Sequence, residues 1–110
     1  MERTPDYETI APRELKDRLD AGDRPELLDV REPWEFKLTR IEGSRLVPMG
    51  ELAERVSELD PQAETVVICH RGTRSAYVTQ ALERAGFRKV FNLEGGLDAY
   101  ADVDESVSRY

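Results

Sequence analysis

Apolar positions along the chain change period repeatedly, and the changes mark out the elements. Tyr7-Glu8-Thr9-Ile10 predicts a short strand. Pro12 suits the first turn of a helix, Leu15 and Leu19 lie one turn apart on it, and Gly22 ends it. Glu26 to Val30 predicts a strand carrying Leu27, Leu28 and Val30. Pro33-Trp34-Glu35-Phe36 predicts a short helical turn, and Leu46-Val47 a brief strand closed by Pro48. Met49, Leu52, Val56 and Leu59 recur at steps of 3, 4 and 3, the stripe of an amphipathic helix that Asp60-Pro61 stops. Thr65-Val66-Val67-Ile68-Cys69 is β-branched and apolar, a buried strand. Val78, Ala81, Leu82 and Ala85 form the inner face of the next helix, with Gly86 at its end. Lys89 to Leu93 predicts another strand, Glu94-Gly95-Gly96 a turn, and Leu97 to Tyr100 a last short helix. Val103 to Tyr110 has no clear period and reads as a loosely held tail.

Strands and helices thus alternate along the whole length. The pattern predicts an α/β domain, residues 1–102, with a mainly parallel sheet covered by helices on both faces and a C-terminal tail, 103–110. Sheets of this kind bind ligands at the carboxyl ends of their strands. Three polar clusters fall at such ends: Asp29-Val30-Arg31, the stretch after Cys69, and Asn92-Leu93-Glu94.

Composition narrows the function classes. With 110 residues, 35% charged and 39% hydrophobic, the chain is a soluble globular mixture the size of one domain. A net charge of −7 argues against nucleic acid as the main partner. No apolar stretch approaches a membrane span, and Met1 to Asp6 lacks the apolar core of a signal peptide. The single cysteine excludes an internal disulfide framework and points to the cytoplasm. It also leaves no resolving thiol in the chain, so a covalent intermediate on Cys69 has to be discharged from outside.

The chemistry gathers at that cysteine. Cys69 ends a buried strand and is followed by His70-Arg71-Gly72-Thr73-Arg74-Ser75, then by a helix from Ala76 onward. Loop N–H groups can converge on the sulfur there, while the helix N-terminus and two arginines add positive charge. This setting favours the thiolate and makes Cys69 a candidate nucleophile. The plainer alternative, a small hydrophobe in the core, fits the strand but not the two arginines and glycine that follow.

The neighbours divide by role. His70 is the only histidine, and one Cys with one His cannot supply the three or four ligands of a metal site. It reads as a loop-lining or substrate-facing group, with acid–base catalysis the lesser alternative. Arg71 is placed to bind an anion at the loop rim or to lie solvated on the surface. Arg74 is expected to turn inward onto a carboxylate, Asp29 foremost, with Glu32 or Glu35 pairing to Arg31 as scaffold. Gly72 supplies a backbone conformation closed to other residues. Gly95-Gly96 is a structural turn beside the site, and Trp34 and Phe36 are core or rim packing.

Three segments, in order, resemble the signatures of the rhodanese family of single-domain sulfurtransferases. They are Leu27-Leu28-Asp29-Val30-Arg31-Glu32-Pro33-Trp34-Glu35-Phe36, then Cys69-His70-Arg71-Gly72-Thr73-Arg74-Ser75, then Phe91-Asn92-Leu93-Glu94-Gly95-Gly96-Leu97-Asp98-Ala99-Tyr100. There are two departures: Arg40 stands where the family usually has histidine, a position read as structural, and Tyr100 stands where tryptophan is common. The resemblance implies a rhodanese-like fold and a ping-pong transfer of sulfane sulfur through a Cys69 persulfide. The donor would be a small anion such as thiosulfate and the acceptor cyanide, a thiol or a protein thiol, with no cofactor and no metal. It implies Cys69 as the catalytic residue, His70, Arg71, Gly72, Thr73 and Arg74 around the substrate, and Asp29, Arg31 and Glu94 as structural support.

Two other classes compete. Cysteine-dependent phosphatases and arsenate reductases also hold an oxyanion in a Cys-to-Arg loop, but with Cys-x5-Arg spacing. Here Arg74 follows Cys69 by five positions, giving Cys-x4-Arg, a loop too tight for a tetrahedral phosphate. A non-catalytic rhodanese-like binding module is the other alternative; such modules often lack the cysteine.

Overall fold

The computed structural model describes residues 7–110. Its five strands are β1 (Glu8–Ile10), β2 (Glu26–Asp29), β3 (Arg45–Leu46), β4 (Glu64–Ile68) and β5 (Lys89–Leu93). They form one sheet in the order β1-β5-β4-β2-β3, every pair parallel. The helices are α1 (Pro12–Asp20), α2 (Pro33–Leu38), α3 (Leu52–Arg55), α4 (Thr73–Arg84) and α5 (Gly96–Tyr100). The predicted α/β architecture is therefore the one observed.

Alternation along each strand sends successive side chains to opposite faces. Leu27, Val66 and Ile68 point to one face, where they pack with Leu15 of α1 and with Leu97 and Tyr100 of α5. Leu28, Val67 and Cys69 point to the other, where Val78 and Leu82 of α4 cover them, with Leu52 and Val56 packed alongside. Both faces are buried, which is why β4 reads as an uninterrupted apolar run. Tyr100 is fully buried, so the aromatic exchange still closes its side of the core. Arg40 stays exposed, with its guanidinium over the Phe36 ring and one N–H donated to the Phe36 carbonyl.

Two predicted elements come out differently. The stripe from Met49 to Leu59 is not one helix. Residues Met49–Glu51 and Val56–Glu58 are 3₁₀ turns flanking the four residues of α3. Gly50 weakens the helix at its start, and the tighter turns still bring Leu52, Val56 and Leu59 onto the sheet. The stretch after α5 is not loose either. Val107 is buried in the core beside Leu15 and Tyr100, and Tyr110 returns to the edge of the sheet where β4 ends.

Candidate active site

Parallel pairing sets the strand ends side by side, with Asp29 in register with Ile68, and Asn92 with Val67. Cys69 follows directly on β4 and is only 1% exposed. Its sulfur lies on the α4 face and is met there by polar groups. The N–H of Gly72 donates to Sγ at 3.1 Å and that of Ser75 at 3.3 Å, while the Ser75 hydroxyl oxygen lies 3.1 Å away. One amide from the loop and one from the first turn of α4 thus meet at the sulfur, and the positive end of that twelve-residue helix faces the same point.

Gly72 makes that wrap possible. It caps α4 with φ +94°, and a Cβ there would sit 3.2 Å from the Gly95 nitrogen. From the other side, the first amides of α5 clamp the loop's opening. Leu97 N–H donates to the Cys69 carbonyl and Asp98 N–H to the His70 carbonyl, each at 2.9 Å. Gly96 permits this approach, since a Cβ on it would lie 2.5 Å from the His70 carbonyl oxygen.

The charged residues are paired differently from expectation. Arg74 does not reach Asp29; it grips Glu35 through two hydrogen bonds, Nη1 to Oε1 at 2.7 Å and Nη2 to Oε2 at 2.9 Å. The reason is local. Asp29 is already occupied by Arg31, which folds back along the same strand end to give it Nε–H at 2.9 Å and Nη2–H at 2.8 Å. Glu35 is turned inward by its place on α2, where it also accepts the Glu32 N–H in the manner of a capping box. Arg31 and Asp29 are both fully buried. Arg31 spends its remaining donors on the Glu35 carbonyl, the Thr39 carbonyl and the Tyr110 hydroxyl. Glu35 and Glu32 are therefore not its carboxylate partners.

These contacts set the titration of the cluster. The two hydrogen bonds from Arg74 outweigh burial and, helped by the Tyr110 hydroxyl, hold the Glu35 carboxyl down to about 2. Arg74 is correspondingly held above the ordinary guanidinium range by Glu35. Burial works against the charge on Arg31, but the bonds it donates to Asp29 and Tyr110 prevail and its pKa is raised. Tyr110 is pushed up to about 12, by burial first and by its bond to Glu35 second.

Tyr110 is the residue sequence reasoning missed. Its ring stacks on His70 with centroids 3.9 Å apart and planes 14° from parallel, and Trp34 meets it edge-on at 6.0 Å. Its hydroxyl donates to Glu35 Oε2 at 2.7 Å and accepts from Arg31 at 2.9 Å. Trp34 itself is largely exposed at the rim. His70 is half-buried beneath Tyr110, and its Nε2 has no hydrogen-bond partner among the described residues.

The other named residues lie at the mouth. Arg71 and Thr73 are exposed and, with Gly72, Asn92 and Glu94, line a cleft of 490 Å³ beside the loop. Among the described residues no carboxylate pairs with Arg71. Glu94 is exposed; its N–H donates to the Ile10 carbonyl, and any support it gives comes from backbone. Two further polar residues complete the sulfur's surroundings. Ser75 and Asn92 are buried, the Ser75 hydroxyl donates to Asn92 Oδ1 at 2.5 Å, and Asn92 Nδ2 donates to the Gly72 carbonyl at 3.2 Å. Among the described residues no group of three or more His, Cys, Asp or Glu is placed to hold a metal ion. No helix among them is long and apolar enough to cross a membrane.

A parallel sheet of this order, with a cysteine loop closed by the start of α4 and clamped by the start of α5, defines a rhodanese-like domain. The sequence profile of that domain matches residues 11–102, and the chain belongs to the family. It is 39% identical over 95 residues to the probable adenylyltransferase/sulfurtransferase MoeZ of Mycobacterium tuberculosis, covering 84% of this chain and 24% of that protein. It is 28% identical to the thiosulfate sulfurtransferase GlpE of Pseudomonas aeruginosa, covering 88% of this chain and 86% of that one. A crystal structure of a rhodanese-like domain protein from Staphylococcus aureus superposes with a TM-score of 0.83 at 28% identity, over 94% of this chain and 98% of the other. The chain spans about a quarter to a half of the length of the first curated relatives it matches.

Proposed function

We propose that the domain is a sulfurtransferase that carries a sulfane sulfur on Cys69. The observation that supports this best is the sulfur's position, 3.1 Å and 3.3 Å from two loop N–H groups at the N-terminus of α4. Fixed dipoles aimed at one point stabilise negative charge there without reorganising. A thiolate and the persulfide built on it are both anions in need of such a cradle.

The steps balance without a cofactor. The Cys69 thiolate attacks the outer sulfur of thiosulfate; a new S–S bond forms, the old one breaks, and sulfite leaves with the electron pair. Cyanide or a thiolate then attacks the outer sulfur of the persulfide, the S–S bond breaks, and the Cys69 thiolate returns. No proton is transferred between heavy atoms, so no base is required. Arg71 is the cation for the anionic donor: it lines the open cleft at the mouth, whereas Arg74 is neutralised by Glu35. Gly72 and Thr73 offer backbone and hydroxyl at the same mouth, and His70 stands next to Cys69 in the loop, half-buried against Tyr110. Arg74, Asp29 and Arg31 serve as scaffold.

Thiosulfate as donor is supported by the resemblance to a thiosulfate sulfurtransferase over most of both chains. A protein acceptor is supported by the relative in which a similar domain belongs to a longer protein named as both adenylyltransferase and sulfurtransferase. A phosphatase reading is disfavoured because Arg74, the residue such an enzyme turns onto its oxyanion, is committed to Glu35.

Steady-state kinetics with thiosulfate and cyanide test the proposal. The expected result is thiocyanate formation with parallel double-reciprocal lines, lost in Cys69→Ala and Cys69→Ser. Hydrolysis of an aryl phosphate without thiocyanate formation would overturn it.

A further inference from the structure

The hydroxyl of Ser75 lies between two groups that both want its proton. Its oxygen is 3.1 Å from Cys69 Sγ and 2.5 Å from Asn92 Oδ1. Which of them receives it is decided one bond further on. Asn92 also lies 3.2 Å from the Gly72 carbonyl, a pure acceptor, so the amide group facing that carbonyl must be the NH₂. The group facing Ser75 is then the amide oxygen, another pure acceptor, and the single Ser75 proton goes to it. What Ser75 presents to Cys69 is therefore a lone pair. All three side chains are buried, so water does not substitute for a missing partner.

We infer that Asn92 is a positioning residue: by claiming the Ser75 proton through Oδ1, it turns a Ser75 lone pair onto Sγ and disfavours negative charge on that one atom. The thiol satisfies the lone pair by donating its S–H. Ionising Cys69 breaks the S–H bond, sends the proton to solvent and leaves the electron pair on sulfur, facing another electron pair. The hydroxyl can turn to the sulfur only by abandoning Asn92 Oδ1, itself buried. A persulfide eases this conflict: Sγ still has lone pairs and no proton, but the negative charge sits on the outer sulfur and not on the atom that Ser75 faces. The N–H groups of Gly72 and Ser75 also point at Sγ and favour charge there, and the Ser75 lone pair held by Asn92 opposes them at the same atom. In that respect the Ser75–Asn92 pair favours the loaded form of the loop, with its charge off Sγ, over the bare thiolate.

The proton argument holds whatever Cys69 transfers; the last step rests on the sulfurtransferase reading. The test therefore reads the thiol by itself. Groups around the sulfur that also carry or can carry charge are Arg74 on α4, Glu35 on α2 behind it, His70 and Arg71 in the loop, and Tyr110 from the C-terminal stretch. All stay in place in the variants chosen. The rate of Cys69 alkylation by iodoacetamide is followed against pH in the full chain, in Asn92→Ala, in Ser75→Ala and in the double variant.

Asn92→Ala frees the Ser75 proton for the sulfur, and the midpoint is expected to fall by about one pH unit, the size of a hydrogen bond to a charged group. In the Ser75→Ala background the same substitution is expected to give no fall. If Asn92 served only to hold the Gly72 carbonyl, its loss would loosen the cradle and the midpoint would stay or rise. Either outcome overturns the inference, as does a fall that persists without Ser75. Should the Asn92 variant not fold, the infrared S–H stretch of the unaltered protein decides. A hydrogen-bonded S–H band that moves to the free position in Ser75→Ala supports the inference, and a free band in both overturns it. None of these readings requires sulfur transfer, so a domain inactive toward thiosulfate would still show the shift, and an active one could lack it.

Discussion

The Arg74 guanidinium and the Glu35 carboxylate meet edge to edge, with both nitrogen–oxygen distances under 3.0 Å, and the bridge ties the first turn of α4 to α2. Glu35 has an ordinary value of 4.5 and is held down to about 2 in the fold. A carboxyl whose folded value lies below its unfolded one stabilises the fold fully above 4.5 and loses that contribution as pH falls toward about 2. Glu35→Gln is expected to cost about 2–3 kcal/mol at neutral pH and to flatten the pH dependence of stability across that acid window. Urea unfolding as a function of pH checks both.

The Asp29–Arg31 pair makes a separate claim. Every N–H of the Arg31 guanidinium has an acceptor, and both side chains are fully buried. Arg31→Leu leaves Asp29 buried and unpaired, and is expected to cost about 3–5 kcal/mol, read by chemical denaturation. Arg31→Lys is expected to recover only part of this, since an ammonium cannot reproduce the two-pronged bond to Asp29.

Tyr110 separates packing from hydrogen bonding. Tyr110→Phe keeps the ring on His70 but leaves Glu35 and Arg31 each short of one partner, for an expected loss of about 1–3 kcal/mol. Tyr110→Ala also removes the stack and uncovers His70. Its ring-proton NMR shifts are expected to move strongly in Tyr110→Ala and little in Tyr110→Phe, because an aromatic ring 3.9 Å away dominates their environment.

What could be read from sequence follows the range of the interaction. The short apolar runs of β2, β4 and β5, and the inner face of α4, are local signals, and they placed Cys69, Asp29 and Asn92 at one edge of the sheet. The partner of Arg74 was not legible because Asp29, Glu32 and Glu35 lie close together in the chain, at steps of three, and only the direction of Arg31 decides which carboxylate is free. Tyr110 was not legible because the final stretch has no period and its contacts are to α2 and the loop, far away in sequence. Asn92 did leave a signal. It shares with Val90 the inward-facing positions of β5, and a polar side chain there needs a buried partner.

Glycine geometry makes a sharper prediction. A Cβ at Gly96 would lie 2.5 Å from the His70 carbonyl oxygen and 2.6 Å from that of Cys69, both backbone atoms, at φ +62°. At Gly22, φ is +92° but nothing lies within 4 Å. Gly96→Ala is expected to abolish sulfur transfer and lower the melting temperature by many degrees, while Gly22→Ala carries only backbone strain and keeps activity. Thermal melts and the thiosulfate assay on the two variants check the contrast.

The most direct measurement is the intact mass of the protein after incubation with thiosulfate and removal of excess reagent. If amides at the head of α4 hold a persulfide on Cys69, the chain gains the mass of one sulfur atom, loses it on addition of cyanide, and gains nothing as Cys69→Ala. No gain in the unaltered chain, or an equal gain without the thiol, would contradict the account.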